Sequence, residues 1–124
     1  MPASTKKQLR ELEIDAVSYS KIGHHSKAES TIKKALELKP RSNHLNHELA
    51  KIHLRSKQYE KALETLLALS NKTKNREILF KDIGLSYFGM GKLEKALEAS
   101  DVSLSEKQDY VEAFVLKGKS LREL

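Results

Sequence analysis

The sequence predicts an all-α fold made from a helical hairpin repeated every 34 residues, and four observations carry that prediction. Helix breakers are scarce: the 124 residues hold five Gly and two Pro, one of which is Pro2. The pair Lys-Ala recurs at Lys27-Ala28, Lys61-Ala62 and Lys95-Ala96, both intervals being 34 residues. An independent series of small residues, Ala16, Ala50, Gly84 and Gly118, keeps the same spacing. Three positions after each of these stand Tyr19, His53, Tyr87 and Leu121, a third register with one period.

Taken in chain order, the apolar spacing gives seven helices, over about residues 5–22, 25–38, 43–56, 59–71, 75–90, 93–105 and 109–123. In the second, Ala28, Ile32, Ala35 and Leu36 form an i, i+4, i+7, i+8 stripe, the apolar face of an amphipathic helix. Leu63, Leu66, Leu67 and Leu69 repeat that arrangement in the fourth. Gly23 and Gly91 fall between paired helices, where a turn needs positive φ, and Lys57 holds the corresponding turn of the second hairpin. Pro40 marks the end of the second helix. The small residues answer a packing need, because two helix axes approach closely only where the side chain at the crossing is small. Ala16, Ala50, Gly84 and Gly118 meet that need on first helices, and Ala28, Ala62 and Ala96 meet it on second helices. No hairpin could bury its apolar face alone, so stacked neighbours must make the core.

These residues resemble the tetratricopeptide repeat family, whose 34-residue unit carries a large residue, Leu-Gly, Tyr, Ala, Phe and a terminal Pro. The third unit matches best, with Phe80 in the large-residue slot, Ile83-Gly84 for Leu-Gly, then Tyr87 and Ala96. The first supplies Leu12, Ala16, Tyr19, Gly23, Ala28, Ile32, Ala35 and Pro40; the second supplies Leu49, Ala50, Tyr59, Ala62 and Leu66. The resemblance implies a right-handed α-solenoid of about three and a half hairpins. It makes residues 1–124 a single domain with repeats at about 9–42, 43–76 and 77–110 and a half repeat at 111–124. That last helix either caps the array or opens onto more repeats; Lys117, in a slot that is apolar when a hairpin follows, favours a cap. Asp15 departs in the same way at the other end.

Four polar residues occupy slots that are usually apolar: Asn46, His53, Ser100 and Ser103. They are read either as drift within the family or as faces that contact a partner. Either way they predict looser packing in the middle of the array.

In the family, first helices line a concave groove that takes an extended or helical peptide. By repeat register, the groove here comprises Arg10, Glu13, Val17, Ser20 and Lys21 in the first unit. The second contributes His44, His47, Lys51, Leu54 and Arg55, and the third Ile78, Lys81, Leu85, Phe88 and Lys92. The last helix adds Glu112, Val115, Lys119 and Arg122. Positive charge runs through this set, opposed only by Glu13 and Glu112, beside an apolar strip of Leu54, Ile78, Leu85 and Phe88. With 23 Lys and Arg against 17 Asp and Glu, the chain carries a net charge of +6. The expected partner is therefore a protein segment that is acidic and partly apolar. Self-association through the open ends of the array is a further option.

Other classes fit less well. Repeats that grip a chaperone's C-terminal carboxylate need Lys, Asn, Asn, Lys and Arg. The two candidate registers give Glu13, Val17, Glu48, Ile78 and Asp82, or His47, Lys51, Asp82, Glu112 and Leu116, with acids where cations are required. Chaperones for secreted translocator proteins match in size, with no motif that selects them. Nucleic acid would be drawn to the lysines, but Glu60, Glu64, Glu94 and Glu98 interleave with them and aromatic residues are only 6% of the chain. There is no cysteine for a disulfide or thiolate metal site. His44 and His47 share a helix face without an evident third ligand, and no cofactor is expected. No catalytic set and no Gly-rich phosphate loop are visible, so chemistry would belong to a fused domain. Without a signal peptide or an apolar stretch of about 18 residues, a cytoplasmic location is expected.

Overall fold

A computed structural model of the chain describes residues 2–124, which form seven α-helices. They are α1 (Ala3–Lys21), α2 (His25–Leu38), α3 (Asn43–Arg55), α4 (Tyr59–Ala68), α5 (Arg76–Gly89), α6 (Leu93–Glu106) and α7 (Val111–Glu123). No strand occurs among the described residues. The predicted elements are all present. The main difference is α4, which stops three residues before the expected 71. Leu69 and Ser70 donate to the carbonyls of Leu66 and Leu67, three residues back, and Arg76 Nη1 donates to Ser70 O at 2.8 Å. The tightened last turn and the captured carbonyl end the helix.

The helices divide into two compact units, Met1–Gln58 and Tyr59–Leu124, the boundary falling inside the second 34-residue repeat. In the first unit, α2 packs on α1 and α3, and α1 also meets α3. Its core is one cluster of Ala16, Ala28, Ile32, Ala35, Leu45 and Ile52, with Leu9, Leu12, Tyr19, Leu36 and Leu49 against it. Ala16 and Ala28 are fully buried, as the crossing of α1 and α2 requires. The two polar slots here are both held by hydrogen bonds. His53 is buried with its Nε2 on the Glu29 carboxylate, and Asn46 Nδ2 donates to Ser42 O at 2.9 Å. Ser42 in turn caps α3, its Oγ accepting from the Leu45 amide at 3.1 Å.

In the second unit, α5 packs against α4, α6 and α7, and α6 also packs on α7. Gly84 marks a close approach of three helices. A Cβ there would lie 2.6 Å from Leu116 Cδ2 on α7, and 3.4 Å from both Ala96 O and Ala99 Cβ on α6. Three helices thus meet where the side chain is absent. Ser100 and Ser103, expected in apolar slots, are wholly buried. Ser100 Oγ donates to Leu97 O at 2.8 Å, and Ser103 Oγ crosses to Glu77 O on α5 at 2.6 Å. Their hydroxyls are satisfied by backbone, so they belong to the core and offer no face to a partner. Two expectations fail. Leu67 is not in the core stripe and is 47% exposed, because Leu66 and Leu69 take the inward positions. Gly118 does not mark a crossing: it is exposed, and nothing lies within 4 Å of a Cβ built there.

The turns explain the repeated period of the punctuation. His24 N donates to Tyr19 O at 2.9 Å while Gly23 N donates to Ser20 O at 3.2 Å, the two bonds of a Schellman motif. Gln58 and Lys57 make the same pair to His53 and Leu54, and Lys92 and Gly91 make it to Tyr87 and Phe88. The motif needs a left-handed residue, found as Gly23 (φ 88°), Lys57 (φ 64°) and Gly91 (φ 77°). The lysines of the first and third Lys-Ala pairs also have a place: Lys27 Nζ lies 4.8 Å from the Tyr19 ring centroid, and Lys95 Nζ 5.5 Å from that of Tyr87.

Lys57 holds a conformation that costs an L side chain about 1–2 kcal/mol, against about 0.5–1 kcal/mol for the extra chain entropy of glycine. Lys57→Gly is therefore expected to stabilise the protein by about 0.5–1 kcal/mol. Gly23→Ala is expected to destabilise it by about 1 kcal/mol through backbone strain alone, since its Cβ would touch nothing. Urea unfolding of both variants reads the signs, and a destabilised Lys57→Gly would refute this account of the turn.

Candidate interaction surfaces

In the first unit, the expected groove residues lie on α1 and α3, and the structure ties several of them together. His44 Nε2 on α3 meets Glu13 Oε1 on α1 at 2.6 Å. Lys51 Nζ lies 3.4 Å from Glu48 Oε1, one turn before it on α3. Arg55 Nη1 donates to Ser20 Oγ at 3.2 Å. Ser20 is buried beneath that guanidinium, so it is no open groove position. Its hydroxyl holds Arg55 against α1, and the exposed arginine is what faces solvent. Arg10 and Lys21 are exposed, while Val17, His47 and Leu54 are half-buried.

In the second unit, α5 and α7 enclose an open pocket of about 280 Å³. Leu85, Phe88 and Lys81 form the α5 wall; Val111, Glu112, Val115, Leu116 and Lys119 form the α7 wall. Six of these, Lys81, Leu85, Phe88, Glu112, Val115 and Lys119, are groove positions of the repeat register. Ile78, Lys92 and Arg122 were named as well but lie outside the wall: Ile78 is half-buried, Lys92 sits in the turn before α6, and Arg122 is in the last turn of α7. The register missed Val111 and Leu116. The apolar spacing from Val111 to Val115 is one helical turn, a signal that the sequence does contain.

The charge pattern corrects the expectation of a groove opposed only by Glu13 and Glu112. Glu48 and Asp82 also lie against groove lysines. Lys81 Nζ is 2.7 Å from Asp82 Oδ1, and that carboxylate is only 2% exposed. The physical reason is local. A buried carboxylate needs a cation or donors beside it, and the preceding lysine can reach back over the helix surface to supply one. Lys81 and Lys51 therefore bring less net charge to the surface than a count of lysines implies. Arg10, Lys21, Arg55, Lys92, Lys119 and Arg122 remain as exposed cations.

Tyr110, at the start of α7, reports the field near the pocket. Its phenol is pushed up to about 12, first by burial and then by the carboxylates of Glu112, Asp82 and Glu77, which oppose a phenolate. A second, shallower cleft of about 260 Å³ lies among α4, α5 and α6, with Leu67, Phe80, Tyr87 and Val102 on its walls. Among the described residues, no group of three His, Asp or Glu is placed to hold a metal ion, and no helix is long and apolar enough to cross a membrane.

A group with a raised pKa favours the folded state only while protonated, so Tyr110 contributes stability that is lost as pH rises from about 10 to about 12. Spectrophotometric titration should show one of the four tyrosines ionising late. Tyr110→Phe should remove that late step, and Glu112→Gln should move it to lower pH. An unchanged curve in Glu112→Gln would contradict the placement of Glu112.

The profile of the tetratricopeptide repeat family matches residues 23–81. Human tetratricopeptide repeat protein 13 is 29% identical over 103 residues, 83% of this chain, and the chain spans only 12% of that protein's length. The second TPR domain of human RPAP3, solved by NMR in complex with the HSP70 peptide SGPTIEEVD, superposes with a TM-score of 0.79 at 16% identity. That match covers 94% of this chain and 97% of the other. A mutant O-GlcNAc transferase from Thermobaculum terrenum superposes at 0.85 with 17% identity, covering 98% of this chain and 23% of that one. At these identities the likeness is one of fold. With the 34-residue period, the Schellman turns at 23, 57 and 91 and the small residues at the helix crossings, the chain has the fold of a tetratricopeptide repeat array, and its residues 23–81 match that family's profile.

Proposed function

We propose that the chain is a non-catalytic protein-interaction scaffold whose first-helix faces bind a peptide or helix of a protein partner. That segment is acidic and partly apolar, and residues 1–124 act as one repeat array. The observation that carries the reading is the apolar pocket between α5 and α7, with exposed cations close to it in sequence at Lys92, Lys119 and Arg122. Leu85, Phe88, Val111 and Val115 offer burial for an apolar side chain. The cations offer pairing to carboxylates and steer an acidic segment toward the surface. In the first unit, Arg55 offers the same on α3, fixed by its bond to Ser20. The peptide held by the RPAP3 domain combines apolar and acidic residues, which makes such a ligand chemically compatible with this fold. A grip on a chaperone's terminal carboxylate is not part of the proposal. The positions it would need hold Glu13, Val17, Glu48, Ile78 and Asp82 in one register and His47, Lys51, Asp82, Glu112 and Leu116 in the other, and Asp82 is buried.

The test uses the triple variant Arg55→Glu, Lys92→Glu and Arg122→Glu. Each exposed pair contributes about 0.2–1 kcal/mol, so reversing three is expected to weaken partner capture by roughly tenfold or more. Capture from native lysate should fall accordingly, and should fall for the unaltered chain as salt rises, with helix content by circular dichroism unchanged. Undiminished capture by the variant would sink the proposal. An electrophoretic mobility shift with RNA, abolished by the same variant, would move the function to nucleic acid instead.

A further inference from the structure

The wall of the α5–α7 pocket is not uniformly basic. On α7, Glu112 and Lys119 are seven residues apart, two helical turns, and line the same pocket about 10 Å from each other along the helix axis. Val115 and Leu116 lie between them. On α5, Lys81 is neutralised by Asp82 at 2.7 Å, so it adds little to either end. The four charges cancel, yet they are separated: a carboxylate marks the N-terminal end of α7 and an ammonium marks its third turn. Glu112 has an ordinary local reason to stand in a first turn, where the helix dipole favours an acid. Its placement on the pocket wall gives it a second consequence, because a ligand seated on Val115 lies within one helical turn of it.

We propose that this pocket seats one bulky apolar side chain and fixes the direction of the bound segment, preferring a ligand with a cation on the Glu112 side and a carboxylate on the Lys119 side. The proposal rests on the reading that this face binds a peptide, and it narrows the partner from acidic to dipolar around its apolar anchor. A uniformly acidic segment would place a carboxylate against Glu112 in a partly desolvated site, where like charges oppose binding. The raised ionisation of Tyr110 agrees with a negative field at that end. In an extended ligand, at about 3.3 Å per residue, the two charges sit roughly three residues apart with the anchor between them. In a helical ligand they sit about two turns apart.

Three capped heptapeptides test this on the full chain: Lys-Lys-Gly-Leu-Gly-Glu-Glu, Glu-Glu-Gly-Leu-Gly-Lys-Lys and Glu-Glu-Gly-Leu-Gly-Glu-Glu. Binding is read from the NMR shifts of the Leu85, Val111 and Val115 methyls. One of the two dipolar peptides should bind about three- to tenfold more tightly than the other and than the acidic one. In Glu112→Lys with Lys119→Glu the preference should pass to the reversed dipolar peptide, and in Glu112→Gln with Lys119→Gln it should vanish. Equal binding of all three peptides, tightest binding of the acidic one, or a preference untouched by the swap overturns the polarity while leaving peptide binding intact. If no peptide shifts any of these methyls, the peptide-binding reading fails and this proposal with it.

Discussion

A helical hairpin with one apolar stripe buries that stripe only if its neighbours come close, and how close they come is set by the side chain at the crossing. In the second unit that point is Gly84, where Leu116, Ala96 and Ala99 converge on the space that a Cβ would take. In the first it is Ala16 against α2, with Ala28 fully buried opposite. Much else follows from this approach. The left-handed residue at 23, 57 or 91 reverses the chain within two or three residues, so the second helix returns against the first at the level of the small residue. The Tyr at 19 or 87 then lies within reach of the Lys eight residues later.

Close packing leaves little room for apolar bulk, and hydroxyls fill the remaining space. Ser86, Ser100, Ser103 and Ser120 are all buried, and each donates to a backbone carbonyl. Their net contribution is modest, because a buried hydrogen bond mostly replaces one made to water. Asp82 and His53 are a different case, being buried groups able to carry charge. Each is set against an opposite partner, Lys81 and Glu29. This explains why the surface is less basic than the composition: some lysines serve the interior.

The fold was legible because its signals are local and repeated. Period, turn glycines and amphipathic stripes all arise from contacts within about 34 residues, and seven helices came out within three residues of their expected ends. The face lined by Leu85, Phe88, Val115 and Lys119 was legible for the same reason, since register alone puts these residues on one side of α5 and α7. The failures came from pairings that register cannot show. Whether Lys81 points to solvent or reaches back to Asp82 depends on the burial of the adjacent residue. Ser20 looked like a surface position until Arg55, 35 residues later, lay over it. Leu67 looked like core because its spacing allowed two faces, and packing chose Leu66 and Leu69.

The central claim is that first-helix faces, and not the second-helix side, receive the partner. The direct measurement is an NMR shift map of the full chain with a captured partner segment bound. Perturbations at Leu54, Leu85, Phe88 and Val115 are the predicted result. Perturbations confined to Leu67, Tyr87, Lys95 and Val102, around the cleft of α4, α5 and α6, would contradict it.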